Sequence, residues 1–212
     1  MLNPASEAAE AAPRLNRRQA AKVRTRAKVL EAARTLFAAR GYEPATIRDI
    51  AKGAGMSTGA VFANFQDKAE LFEAVLAEDL ARLTEALRAA DKDAPIRERL
   101  ISILSAGYHG SLDQLPLVQA VVARSWFQPI SADQRARQAV KPLAAVVEEA
   151  LQAAVAKGEL RQDSDLKLIA ELAWTAYVSN YRRAAYDNWD EARLADHLGR
   201  QLDLILAGAL AR

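Results

Sequence analysis

Residues 46–68, TIRDIAKGAGMSTGAVFANFQDK, put hydroxyl side chains where helices begin and glycines where the chain must turn. Thr46 stands ahead of Ile47, Ile50 and Ala51, whose i, i+3, i+4 spacing places them on one helical face, so its oxygen is positioned to cap a first turn. Gly53 and Gly55 break that helix, and both are read as supplying the positive-φ backbone of a tight turn. Ser57 then offers a second capping oxygen before Val61, Phe62 and Phe65. Two short helices joined in this way form a helix-turn-helix, and its chemistry is recognition of phosphates and base edges. Helix N-termini present unbonded amides and a positive dipole to anions. An αα-hairpin inside an all-helical core carries the same pattern, so the surroundings must decide.

Charge is distributed unevenly around this segment. Residues 14–68 hold twelve Lys or Arg and four acidic residues, a net +8, whereas the whole chain is +2 and the remainder is therefore −6. A basic block of this kind is the electrostatic footprint of a phosphate-binding module. Arg14, Arg17 and Arg18 at its edge are either a solvated helix start or an arm lying against DNA.

Catalytic constellations do not emerge. Gly53, Gly55 and Gly59 are spaced G-x-G-x-x-x-G after a helix, which fails the dinucleotide fingerprint in both spacing and context. His109 and His197 fall in different predicted helices without a ligand-type partner one turn away, and Glu148 and Glu149 are adjacent and so diverge on a helix. The chain contains no cysteine. No metal, cofactor or enzymatic activity is expected, and the absence of cysteine fits a reducing compartment. With no apolar run near the ~20 residues that a span requires and no signal-like N-terminus, a cytoplasmic, non-membrane protein is expected.

The elements that must position the segment read as all-α. A tail over 1–16 precedes a helix at 19–40, apolar on one face through Val23, Ala27, Leu30, Ala33, Leu36 and Phe37 and stopped by Gly41. Asp67 caps a long fourth helix reaching about residue 90. Further helices are expected at 96–110, 113–125, 132–157, 165–186 and 190–211. Pro142 should kink the third of these or mark its true start, Gly158 ends it, and Asp163 or Ser164 caps the next. The expected units are a tail at 1–16, a helix-turn-helix DNA-binding domain at 17–66, and a helical ligand-binding and dimerisation bundle at 67–212.

Residues 19–76 resemble the TetR family of one-component bacterial transcription regulators, through AARGYEPATIRDIAKGAGMS, the run STGAVFANF, and the following Lys68 and Leu71. The resemblance implies a homodimer, two symmetric reading heads on a DNA operator, and a C-terminal domain whose ligand releases the DNA. It also implies that Thr46 caps the second helix and donates to a phosphate, that Arg48 lies near the backbone or groove, and that Ser57, Thr58, Gly59 and Ala60 open the reading helix. Lys68 would meet a phosphate. Two positions depart from the pattern: Phe62 stands where tyrosine is common and Asn64 where histidine or tyrosine is common. Phe62 has no hydroxyl to give, while Asn64 retains an amide donor. Phe65 is expected to pack in the core, and Phe62 is read either way.

In the second half, Tyr108, His109, Trp126, Phe127, Trp174, Tyr177, Asn180 and Tyr181 are the candidates for binding a small hydrophobic or aromatic effector. Trp174, Tyr177 and Tyr181 share one helix face, which is equally the pattern of a core or dimer stripe. The last two helices, with Leu166, Ile169, Leu172 and Val178 and then Leu194, Leu198, Leu202, Ile205 and Leu206, have more apolar surface than one subunit hides. A two-fold interface through both is expected. The expected function is a ligand-responsive dimeric repressor of a palindromic operator; the alternative is a sensor or scaffold that no longer binds DNA specifically.

Overall fold

The computed structural model describes residues 16–89, 92–127 and 130–211, the side chains of 124–127, 130–137 and 139 excepted. The expected tail thus lies almost wholly outside the described residues. Those described form α1 (Arg17–Arg40), α2 (Ile47–Gly53), α3 (Thr58–Phe62), α4 (Lys68–Arg88), α5 (Ile96–Ser111), a 3-10 turn (Leu112–Gln114), α6 (Leu115–Phe127), α7 (Ile130–Ala156), α8 (Leu166–Asp187) and α9 (Glu191–Leu206). The architecture is all-α, with an N-terminal helix-turn-helix and a C-terminal helical bundle. None of these helices is long and apolar enough to cross a membrane.

Side-chain caps set most boundaries. Asn16 and Gln19 form a reciprocal capping box, so α1 begins two residues earlier than its apolar pattern indicates. Thr46, Ser57, Asp67 and Asp190 each accept a hydrogen bond from the backbone three residues on, as their types predict. For α8 the cap is Asp165, whose Oδ1 accepts from the Leu168 amide at 3.0 Å, rather than Asp163 or Ser164; Asp163 is instead paired with Arg161. Pro142 lies inside α7 and does not start it. Helix α9 stops at Leu206, short of the expected 211, because the chain turns back: the Arg161 amide donates to the Ala209 carbonyl and the Ala211 amide to the Glu159 carbonyl.

Two apolar cores result. The first gathers Val29, Leu30, Ala33 and Phe37 of α1 with Ile50, Ala51, Val61, Phe65, Leu71, Phe72 and Val75. The second fills the bundle from Leu87 and Ile96 through Leu202 and Leu206. Helices α4 and α6 belong to both. Leu71 and Val75 serve the first core while Leu83 and Leu87 serve the second, and Leu117 and Val121 serve the first while Leu115 and Val118 serve the second. A shift of either helix is therefore felt on both sides, since packed cores deform little.

Candidate nucleic-acid interface

Helices α2 and α3 are seven and five residues long, too short to be stable alone, so packing must hold them. Ile50 and Ala51 anchor α2, and Val61 anchors α3. Of the two glycines between them only Gly55 takes a positive φ, +66°; Gly53 is the last helical residue of α2. The expectation of two left-handed positions is thus corrected: one is enough, because Ala54 closes α2 in a right-handed conformation.

The opening turns of both helices face solvent. Thr46 Oγ1 accepts from the Asp49 amide at 3.1 Å and donates to Asp49 Oδ2 at 2.7 Å, so its proton is already engaged within the chain. Ser57 Oγ accepts from the Ala60 amide at 3.2 Å. Arg48, Lys52, Ser57, Thr58 and Gly59 are exposed and Ala60 is half-buried. Phe65 is core at 2% exposure, whereas Phe62 is 54% exposed on α3. The ambiguity at Phe62 resolves to the surface because Val61 and Phe65 already fill the space beneath α3.

Two expected phosphate donors are turned inward. Lys68 Nζ donates to the carbonyl oxygens of Tyr42, Glu43 and Ala45 at 3.0, 3.3 and 3.2 Å and lies 4.1 Å from the Tyr42 ring centroid. It ties the α1–α2 loop to the start of α4, since that loop leaves carbonyls without helical partners. Asn64 Nδ2 donates to the Ala60 carbonyl at 2.9 Å, which turns its amide along the helix. Arg26, which the pattern did not single out, lies 4.1 Å from the Phe65 ring centroid and donates to the Asn64 carbonyl at 3.0 Å, capping the end of α3. Its signal was in the sequence: it sits one turn before Leu30 on the apolar face of α1. Arg34 is likewise occupied, by Glu31, Glu78 and Asp79.

The effector candidates divide. Tyr108, Tyr177 and Tyr181 are buried against one another, with ring centroids 4.8 to 5.4 Å apart. Their hydroxyls are satisfied internally: Tyr108 donates to the Tyr177 carbonyl, Tyr177 and Tyr181 share a bond at 2.7 Å, and Tyr181 reaches the Gly107 carbonyl at 3.1 Å. Burial holds all three phenols above their ordinary value, so they stay neutral. Gly107 is required here, because a Cβ would lie 2.1 Å from the Tyr177 hydroxyl oxygen. Trp174 packs beside Tyr177, and Asn180 is buried and donates to Gln201. His109 is not brought to this cluster: its side chain is 81% exposed and pairs with Glu191, since its position in α5 falls on the outer face. The side chains of Trp126 and Phe127 lie outside the described residues.

Comparison with known proteins agrees with this arrangement. Residues 29–75 match the model of the bacterial regulatory proteins of the tetR family, and residues 115–208 match the model of the C-terminal domain of TetR/AcrR family transcriptional repressors. The chain belongs to the TetR family. Among curated relatives, the HTH-type transcriptional repressor AcnR of Corynebacterium efficiens is 48% identical over 63 residues, 30% of this chain and 34% of that protein. The match thus spans about a third of the length of such relatives. The HTH-type transcriptional repressor KstR2 of Mycobacterium tuberculosis is 27% identical over 193 residues, covering 88% of this chain and 93% of its own. In fold, this TetR-family chain is similar to the transcriptional regulator FadR of Bacillus subtilis, solved with stearoyl-CoA, at TM-score 0.71 and 18% identity over 86% of this chain and 98% of that one.

Proposed function

We propose that the chain is a dimeric, ligand-responsive repressor that holds a palindromic DNA operator through α2 and α3. The observation that carries this reading is the solvent-facing pair of helix openings at Thr46 and Ser57, flanked by exposed Arg48 and Lys52, on a head whose Ile50, Ala51 and Val61 are packed in its core. Ser57, Thr58, Gly59 and Ala60 approach base edges and phosphates, and Arg48 lies against the backbone. Residues 17–66 form the DNA-binding unit and 67–212 the effector-binding and dimerisation unit, with 1–16 as a tail. A cytoplasmic location follows from a DNA target.

Dimerisation uses α8 and α9, which leave Leu168, Leu172 and Leu204 exposed, Leu204 at 80%. The effector is a small hydrophobic or aromatic molecule taken up beside Trp174 and the Tyr108–Tyr177–Tyr181 cluster, where phenol hydroxyls and Asn180 exchange their present partners for the ligand's. FadR, solved with stearoyl-CoA, is a precedent on this fold for a ligand with a long apolar chain. Ligand favours a conformer in which α4 and α6, shared by both cores, carry the two heads to a spacing that no longer fits successive major grooves.

Phe62 and Asn64, which offer no outward donor, favour the second reading, a sensor or scaffold without specific DNA binding. A gel shift with the DNA flanking the chain's own gene separates the two: a retarded band that withstands excess random duplex supports the repressor. Equal competition by random duplex supports the alternative.

A further inference from the structure

Helix α1 is much longer than the head it serves. It runs over Arg17–Arg40, yet its buried residues, Val29, Leu30, Ala33 and Phe37, all lie in the C-terminal half. The turns before Arg26 extend beyond the core by about 13 Å at 1.5 Å per residue. The overhang is formed helix, closed at its start by the Asn16–Gln19 box with bonds of 2.8 and 3.0 Å. It contains no acidic residue, and its cations fall on two lines. Stepping back from buried Leu30 in fours reaches Arg26, Lys22 and Arg18, so this line continues the core-facing side of α1 beyond the core. Arg17, Arg24 and Lys28, at seven- and eleven-residue spacing, form the other line on the far side.

Only the first line is in register with the reading helix. Its inner end, Arg26, is fixed on Phe65 and on the Asn64 carbonyl at the C-terminal end of α3. Lys22 and Arg18 then follow about 6 and 12 Å further along the helix axis, and both are exposed. A side that buries Val29, Leu30, Ala33 and Phe37 where protein covers it is cationic where protein does not. We infer that the overhang of α1 is a second phosphate-binding surface, in which Arg18 and Lys22 grip the DNA backbone flanking the segment read by α3. This rests on the DNA-binding reading above and extends the footprint beyond the helix-turn-helix.

The test measures binding of the full chain to a duplex from its own flanking DNA, and to a random duplex of equal length, across a potassium chloride series. The Arg18→Gln/Lys22→Gln pair is compared with the Arg17→Gln/Arg24→Gln pair, which removes the same charge. The slope of log affinity against log salt should become shallower by roughly 1.8 for the first pair, about 0.9 per lost phosphate contact. The second pair should leave it within error. Equal effects from the two pairs, or none from the first, would overturn the inference while leaving the repressor reading intact. A wild-type chain that binds neither duplex overturns both. Because the chain lacks cysteine, a single Lys22→Cys carrying a tethered iron chelate gives an independent readout. Strand cleavage just outside the helix-turn-helix footprint is expected, and cleavage no stronger than from a chelate on Arg17→Cys would overturn the inference.

Discussion

Replacing Lys68 by alanine separates two roles that the sequence alone does not distinguish. The ammonium group makes three hydrogen bonds of 3.0 to 3.3 Å to the carbonyls of Tyr42, Glu43 and Ala45 and stacks on the Tyr42 ring. Individual hydrogen bonds contribute about 0.5–1.5 kcal/mol net, and the partial exposure of this lysine places the sum toward the low end. A destabilisation of about 1–2 kcal/mol is expected, equivalent to a Tm lowered by roughly 2–8 °C for a chain of this size. The loop that Lys68 ties down ends at Thr46, so loss of the tie misplaces the start of α2, and operator affinity should fall by a similar factor at every salt concentration. About 1.4 kcal/mol would be tenfold. The slope of log affinity against log salt should not change, because no phosphate contact is lost. Calorimetry and a salt series of anisotropy titrations read both quantities. A Tm equal to wild type, together with a slope shallower by about 0.9, would refute the clamp and restore the phosphate role.

Other consequences follow from specific contacts. Gly107→Ala places a methyl against the buried Tyr177 phenol and should cost about 1–3 kcal/mol in denaturant melts, with Tyr177→Phe relieving part of it; additive losses would contradict the packing. Ser57→Ala removes the oxygen that caps α3 and should lower stability by about 1 kcal/mol and raise amide hydrogen exchange at residues 60–63, whereas unchanged exchange would mean the cap is idle. Tyr108, Tyr177 and Tyr181 have folded-state values raised by burial. Their contribution is complete below the ordinary phenol value of 10.0 and is lost as pH climbs from there through the folded values. Melts above pH 10 should therefore show a steep loss of stability that Tyr181→Phe reduces. Leu204→Glu should yield a folded monomer by analytical ultracentrifugation if α9 forms the dimer face, and a dimer of wild-type strength would move that face elsewhere.

The helix-turn-helix was legible because its determinants are local. Thr46, Ser57 and Asp67 cap within three residues, and i, i+3, i+4 apolar spacing sets which side of each helix is buried. What the sequence concealed depends on residues brought together from afar. Lys68 meets a loop more than twenty positions earlier, and Arg26 meets Asn64 across 38 positions. A basic residue reads alike whether its charge faces phosphate or a carbonyl. The aromatic stripe of α8 is visible in the sequence, but its partners Tyr108 and Gly107 come from α5, so only the fold shows that the Tyr108 and Tyr181 hydroxyls end on the carbonyls of Tyr177 and Gly107. His109 was grouped with them for its chemistry, although its helical phase sends it outward. The end of α9 is hidden for the same reason: the chain beyond Leu206 pairs with residues near Leu160, which no local pattern reveals.

Footprinting of the chain on the DNA flanking its own gene tests the central claim most directly. Two symmetric protected patches are expected, their centres one helical turn (~34 Å) or a multiple apart, fading together when Ser57, Thr58 and Arg48 are replaced by alanine. Uniform cleavage along the whole fragment in low-salt buffer, at protein concentrations where the chain is fully folded, would contradict it.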